Sequence, residues 1–279
     1  MTSKVVIVVQ ARMASTRLPG KVMLPVLGKS LLALMAERLA ALTHPVTIVI
    51  ATSVNAEDDV IAQEAEALNI PCYRGSQNNL LDRHYQAARL YDADVVLKIP
   101  SDCPLIDPRI IDHMLHFFFL NEGKYDYVSN LHPATYPDGN DVEIMTVPCL
   151  KLAWKEAMRP MEMEHTTPFI WENPHLFRIG NVKWETGLDY SMSHRFTIDY
   201  QKDYEFIKQV YEALYPQNPN FSCTDILSLL EQRPDIYEIN AQYAGVNWYR
   251  NHLHELRTIR ATQTREVPAP KVQQHTYRY

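Results

Sequence analysis

Arg12, Arg17 and Lys21 crowd into the stretch ARMASTRLPGK, directly behind the apolar run VVIVVQ. Arginine matches the fork of a phosphate and lysine supplies a mobile point charge, while Ser15 and Thr16 add hydroxyls and Gly20 lets backbone approach closely. Such a loop can cradle phosphate. A solvated surface turn fits the same residues as well, since charged side chains commonly occupy loops. The spacing is neither that of a Walker loop nor that of a Gly-rich dinucleotide fingerprint. Two carboxylates add to the chemistry: Asp102 in KIPSDCPLIDP and Asp199 in RFTIDYQKDYEFI, each closing a β-type run. Together they can hold one Mg²⁺ that bridges nucleotide phosphates and an incoming nucleophile. A salt bridge or a helix cap is an ordinary fate for either one alone. Asp107 reads as the N-cap of a helix opening at Pro108, and Asp203 as a first-turn acid of a later helix.

These residues need elements that bring them to one place. VVIVVQ, VTIVIAT, PCYRG and ADVVLKIP read as short continuous apolar strands, alternating with the helical patterns SLLALMAERLAAL (N-cap Ser30), NAEDDVIAQEAEAL and NNLLDRHYQAARLY. That rhythm predicts an α/β fold, a mainly parallel Rossmann-like sheet with helices on both faces and a crevice at the strand carboxyl ends. RIIDHMLHFFFL continues as helix, YDYVSN as strand, and the rhythm then changes over residues 131–195, which read as a mixed insertion on the substrate side. RFTIDY returns as a β run before the helix QKDYEFIKQVYEALY. The reading divides the chain into a main domain over 1–215, a small helical extension over 216–250, and a flexible or partner-docking tail over 251–279.

The 279 residues suffice for a sizeable core, and 46% hydrophobic with 22% charged residues excludes wholesale disorder. A net charge of -6 argues against a general nucleic-acid binder, so any anion must be met locally. The last stretch from Asn251 carries five Lys or Arg against two Asp or Glu, a local +3 without interleaved aromatic and basic motifs. Cys72, Cys103, Cys149 and Cys223 stand far apart, which points to reduced thiols. With no export-length or membrane-length apolar run, a cytoplasmic location is expected.

QARMASTRLPGK, RGSQNNLLDRHYQAA, KIPSDCPLIDP, YPDGNDVEIM and RFTIDYQKDYEFI, in that order, resemble the sugar-acid cytidylyltransferases, the acylneuraminate and 3-deoxy-manno-octulosonate enzymes. The resemblance is closest to their spore-coat polysaccharide biosynthesis branch, and it covers roughly the first 210 residues. It implies a nucleotide-diphospho-sugar transferase fold, CTP as donor, Mg²⁺ as cofactor and a homodimer. By the same likeness Gln10 and Ala11 read the base, Arg12 and Lys21 meet the phosphates with Ser15 and Arg17 beside them, and Ser101 joins the nucleotide side. Arg74 and Gly75 lie near cytosine or ribose, supported by Asp82 and Arg83, while Asp102 and Asp199 hold the metal.

On the acceptor side the candidates are Asp138, Asn140, Asp141 and Glu143 of YPDGNDVEI, with Gly139 allowing a turn, then His165, Thr166 and Arg195. Arg195 is the candidate to meet an acceptor carboxylate or phosphonate; His165 is either a pocket base or a structural histidine. Trp154, Trp171, Phe169 and Phe177 belong either to a dimer surface or to the core. The expected reaction is attack by an acceptor oxygen on the α-phosphate of CTP, with release of pyrophosphate and without a covalent enzyme intermediate. The competing readings are another nucleoside triphosphate or a sugar phosphate acceptor, and a nucleotide-binding assembly protein that has lost turnover. The C-terminal region either covers the site or contacts a second protein.

Overall fold

Strand β1, Val5–Gln10, is apolar along its whole length because both of its faces are covered. Val5, Ile7 and Val9 point into one core layer, Val6 and Val8 into the other, the two-residue alternation of a pleated strand. In the computed structural model, which describes residues 3–268, β1 sits near the centre of a seven-stranded sheet. A small antiparallel hairpin, β2 (Pro25–Val26) and β3 (Lys29–Ser30), follows the basic loop. The other sheet strands are β4 (Thr47–Ser53), β5 (Cys72–Gly75), β6 (Val95–Pro100), β7 (Tyr127–Ser129), β8 (Glu143–Thr146) and β9 (Ile179–Asn181).

The sheet order is β5-β4-β1-β6-β8-β7-β9. The first four strands are parallel, as the βαβ rhythm predicts, while β8 runs antiparallel to both β6 and β7. The sheet is therefore mixed, and the reversal has a consequence for the site. Because β8 enters from the carboxyl end of β6, the loop before it arrives beside the loops that leave β1 and β6, and Glu143 pairs directly across from Lys98.

Helices α1 (Leu31–Ala40), α2 (Asp59–Ala67) and α4 (Pro108–Leu120) cover one face, and α3 (Leu80–Leu90) and α5 (Val147–Glu156) the other. The short helices α6 (Pro160–His165) and α7 (Pro168–Trp171) join the second layer; α8 (Gln201–Leu214), α9 (Cys223–Gln232) and α10 (Pro234–Tyr237) join the first. The expected caps form: Ser30 Oγ accepts from Ala33 N at 3.0 Å, and Asp107 Oδ1 from Arg109 N at 2.9 Å. Asp107 also accepts Cys223 N at 2.7 Å, which ties the start of α9 to the start of α4.

Two expectations change. RFTIDY is not a strand but an extended segment with a single bridge, Arg195 to Asp138, and its backbone hydrogen bonds go to the neighbouring loops. The described part of the expected tail, 251–268, lies against the body: Leu256 and Ile259 are buried, and Arg257 N and Thr258 N donate to Glu172 at 2.8 and 2.9 Å. Residues 269–279 lie outside the described residues. Trp171 and Phe177 are buried in the second core layer, and Trp154 and Phe169 pack against it half-buried. All four cysteines are free, and no helix among the described residues is long and apolar enough to cross a membrane.

Candidate active site

The register Gln10↔Pro100 ends β1 and β6 side by side, so the basic loop and the Asp102 turn leave the sheet together. The basic loop closes on itself around one carbonyl: Ser15 N and Gly20 N both donate to Met13 O at 2.9 Å. Gly20 has a φ of 69°, a conformation that a side chain disfavours, and this turn delivers Lys21 into the short 3₁₀ segment Lys21–Met23. The loop is anchored from outside by Asp58, whose carboxylate accepts Met13 N at 2.7 Å.

Lys21 Nζ is the meeting point of three elements. It donates to Asp102 Oδ2 at 3.1 Å, Asp199 Oδ1 at 2.9 Å and the carbonyl of Ile198 at 2.7 Å. The two aspartate segments are stitched together behind it, since Ile198 N and Thr197 Oγ1 donate to Asp102 O at 2.9 and 2.8 Å. Burial acts to lower the Lys21 pKa, but the carboxylates of Asp102 and Asp199 outweigh it and leave the ammonium charged. Burial likewise acts to raise Asp199, yet Lys21, Arg195 and Arg17 hold it well below the usual carboxylate range. Arg17 reaches Asp199 Oδ1 at 2.6 Å.

Arg195 is fully occupied. Its guanidinium donates to both oxygens of Asp203 at 3.0 and 3.2 Å, to Asp138 at 3.1 Å, to Asp199 at 3.1 Å and to the carbonyl of Val246 at 2.9 Å. That accounts for every N–H an arginine has. Expected to meet an acceptor anion, it instead fixes Asp138 and Asp199 in place. Further along the same wall, burial pushes Asp141 up to about 6 and Asp138 well above the ordinary range, with neighbouring carboxylates adding to Asp141. Glu143 behaves oppositely: burial would raise it, but its partner Lys98 holds it below its usual value.

These groups line one cavity of about 630 Å³, a size suited to a nucleotide-sized ligand. Its wall carries Gln10, Ala11, Arg12, Ser15, Arg17 and Arg83, together with Lys21, Ser101, Asp102 and Asp199. Asp138, Asn140, Asp141, Glu143, His165 and Arg195 line the same cavity. Arg83 is buried, and its Nε and Nη1 have no hydrogen-bond partner among the described residues; the same holds for Gln10 Oε1. Burial, with Arg12 nearby, lowers the Arg83 pKa to about 10, which still leaves it charged at neutral pH. An uncompensated buried guanidinium is costly, and it is the donor an anionic or carbonyl-rich ligand would satisfy.

Four expected residues do not line this cavity. Arg74 turns back on the β4 end, donating to Ser53 O at 2.9 Å and Asn55 O at 2.8 Å and pairing with Asp59 at 2.7 Å. Asp82 joins α3 to α5 by accepting Trp154 Nε1 at 2.9 Å. Gly75 packs against Tyr73 and Arg83, so a Cβ there would meet Tyr73 at 2.7 Å. Thr166 is buried against His84, and the cavity receives its neighbour Thr167 instead. His165 stacks on Trp248 with centroids 3.7 Å apart; burial, with Lys98, His252 and Arg12 nearby, lowers its pKa to about 3, too weak a base to hold a proton at neutral pH.

The sequence reading missed Lys98, although a lysine inside the apolar strand VVLKIP was a visible signal, and it missed His132, which carried none; of the two roles left open for the C-terminal region, residues within 245–263 do line the cavity. Asp102 and Asp199 already share one cation, Lys21, so their hard oxygen donors converge enough to fit Mg²⁺. No cluster of three acidic, histidine or cysteine ligands forms among the described residues. A metal held here would thus take its remaining ligands from phosphate and water, as Mg²⁺ commonly does.

A family model described as cytidylyltransferase matches residues 6–239. The chain belongs to the cytidylyltransferase family. This makes it a CTP-dependent nucleotidyltransferase by family, with the α/β fold described above. A cytidylyltransferase structure from Leptospira borgpetersenii superposes with a TM-score of 0.80 at 34% identity, covering 85% of this cytidylyltransferase and 97% of that chain. A protein of Methanocaldococcus jannaschii is 32% identical over 85% of this chain and 95% of its own length. A spore coat polysaccharide biosynthesis protein of Bacillus subtilis is 29% identical over 83% of this chain and 95% of its own. A CMP-2-keto-3-deoxy-manno-octonic acid synthetase structure shares the fold, with a TM-score of 0.57 at 17% identity over 75% of this chain and 99% of that one.

Proposed function

We propose that this protein transfers CMP from CTP to a hydroxyl of a sugar acid or a related sugar acceptor and releases pyrophosphate. The observation that carries the reading is the set of three cations, Arg12, Arg17 and Lys21, on one loop that lines the same cavity as Asp102 and Asp199, with Lys21 paired directly to both carboxylates and Arg17 to Asp199. The acceptor class is supported by the relatives named for spore coat polysaccharide biosynthesis and, over 40% of this chain, by a 3-deoxy-manno-octulosonate cytidylyltransferase of Geobacter metallireducens.

In this reading the unpartnered Arg83 and Gln10 bind the nucleotide, Arg12 meets its phosphates, and Lys21 moves from the carboxylates to the triphosphate when CTP arrives. The acceptor hydroxyl loses its proton to solvent as its oxygen forms a bond to the α-phosphorus and the bond to the β-phosphate oxygen breaks, so the negative charge gathers on departing pyrophosphate. Lys21 and Arg12 offset that charge in a site whose dipoles are already in place. Asp102 and Asp199 would hold Mg²⁺, which supplies charge neutralisation and orientation at the phosphates. Arg195 keeps Asp199 aimed at this point.

A pyrophosphate-release assay tests the reading. With CTP, Mg²⁺ and a panel of sugar acids, release depends on both CTP and one acceptor, and GTP competes poorly. Release that is indifferent to CTP, or absent across the panel, contradicts it.

A further inference from the structure

The family match ends at residue 239, yet residues 245–263 form part of the cavity wall. What that segment touches is one-sided. Val246 O takes an N–H of Arg195 at 2.9 Å, and a Cβ on Gly245, whose φ is 76°, would collide with Met192 at 2.7 Å. Trp248 lies flat on His165 with an interplanar angle of 12°, and Tyr249 meets Trp171 edge-on at 6.3 Å. Arg159 donates to Glu255 O at 3.0 Å, and Glu172 accepts Arg257 N and Thr258 N. Every partner in these contacts lies within 131–195, the acceptor-side insertion.

The segment is also closed on itself. Asn247 Nδ2 donates to Gln263 O at 3.0 Å, and Arg265 N to Gly245 O at 2.8 Å, so its two ends are clasped and its middle is held over the cavity. It presents there the ring of Trp248, the phenol of Tyr249 and the amides of Asn247, Asn251 and Gln263, with one ionisable side chain among them, His252, whose Nδ1 lies 2.8 Å from Glu255 Oε1. Against Tyr249, with ring centroids 6.1 Å apart, stands His132, held neutral by burial at a pKa of about 4, whose Nδ1 is buried without a hydrogen-bond partner among the described residues. Two further cations that line the cavity, Arg195 and Lys98, are already paired with carboxylates. Flat aromatic faces beside neutral hydroxyl-bonding groups suit a ligand with apolar C–H faces and many hydroxyls, not an anionic head.

From this placement we infer that residues 245–263 are a strap that forms the acceptor wall and reads the polyhydroxylated end of the sugar, with Trp248 as its platform and His132 as the hydrogen-bonding group beside Tyr249. The inference rests on the proposed function for the word acceptor, but it concerns sugar binding and can be read without turnover. Saturation-transfer NMR on the full chain, with N-acetylneuraminate and 3-deoxy-manno-octulosonate as probes, measures sugar binding, and calorimetry measures CTP binding. Trp248→Ala weakens sugar binding at least tenfold and leaves the CTP dissociation constant within twofold, and Trp248→Phe restores most of the loss. Asn251→Ala, at an exposed cavity-facing position, weakens sugar binding about threefold and keeps the test alive if Trp248→Ala fails to fold. Sugar binding unchanged in both alanine variants, no binding of either sugar to the wild type, or an equal loss of CTP affinity overturns the assignment. Trp248-dependent sugar binding without any nucleotide product would overturn the proposed reaction and leave the strap standing.

Discussion

Lys21→Ala lowers turnover by about 10²- to 10³-fold, the scale seen when one preorganised electrostatic contact to a transition state is removed. The same variant loses no more than about 2 kcal/mol of stability. The asymmetry follows from the partners. Asp199, the more buried carboxylate, keeps Arg17 at 2.6 Å and Arg195 at 3.1 Å, and Asp102 has a side chain 33% exposed that water can reach. The ground-state charge balance therefore survives, whereas the loop has no second lysine to carry an ammonium from Asp102 and Asp199 to the triphosphate. Steady-state rates of pyrophosphate release beside urea unfolding curves check both halves. Wild-type turnover in a folded Lys21→Ala protein contradicts the role given to Lys21.

Arg195→Met behaves the other way round, losing about 3–5 kcal/mol of stability, because it strands buried carboxylates that the native fold neutralises. Asp203 is fully buried and Arg195 contributes two hydrogen bonds to it, while Asp138 and Asp199 each lose one. Part of this loss carries a pH signature. Asp199 is held below the usual carboxylate value, so its contribution is present above that value and disappears as the pH falls through its lowered folded pKa. The stability gap between wild type and Arg195→Met accordingly narrows below about pH 4. Urea midpoints at pH 7 and pH 3.5 measure it, and a gap that widens in acid contradicts the assignment of Arg195 as the clamp on Asp199.

Much of the site was legible from local chemistry. The basic loop and Asp102 stand out because a buried parallel strand has few reasons to empty into charges, and Asp199, read as a strand end although it closes an extended segment, converges with them on one cavity. The βαβ rhythm likewise gave the parallel half of the sheet. Pairing direction at β8 was hidden, since an apolar run looks the same in either orientation, and that reversal is what carries Glu143 to Lys98. Spacing also does not say which way a side chain turns. Arg74 and Asp82 sit close in sequence to Arg83, yet one folds back on β4 and the other joins two helices, while Arg83 alone reaches the cavity. The segment 245–263 was least legible, because its contacts are held by scattered backbone hydrogen bonds and ring stacks with no helical or strand period.

The most direct measurement is the mass of the product formed when the full chain is incubated with Mg²⁺, an equal mixture of the four nucleoside triphosphates, and sugar-acid acceptors. CMP transfer yields one new species whose mass equals acceptor plus CMP less water, matched by an equal amount of pyrophosphate. A UMP-, AMP- or GMP-linked product, or CTP consumed with no acceptor adduct, would contradict it.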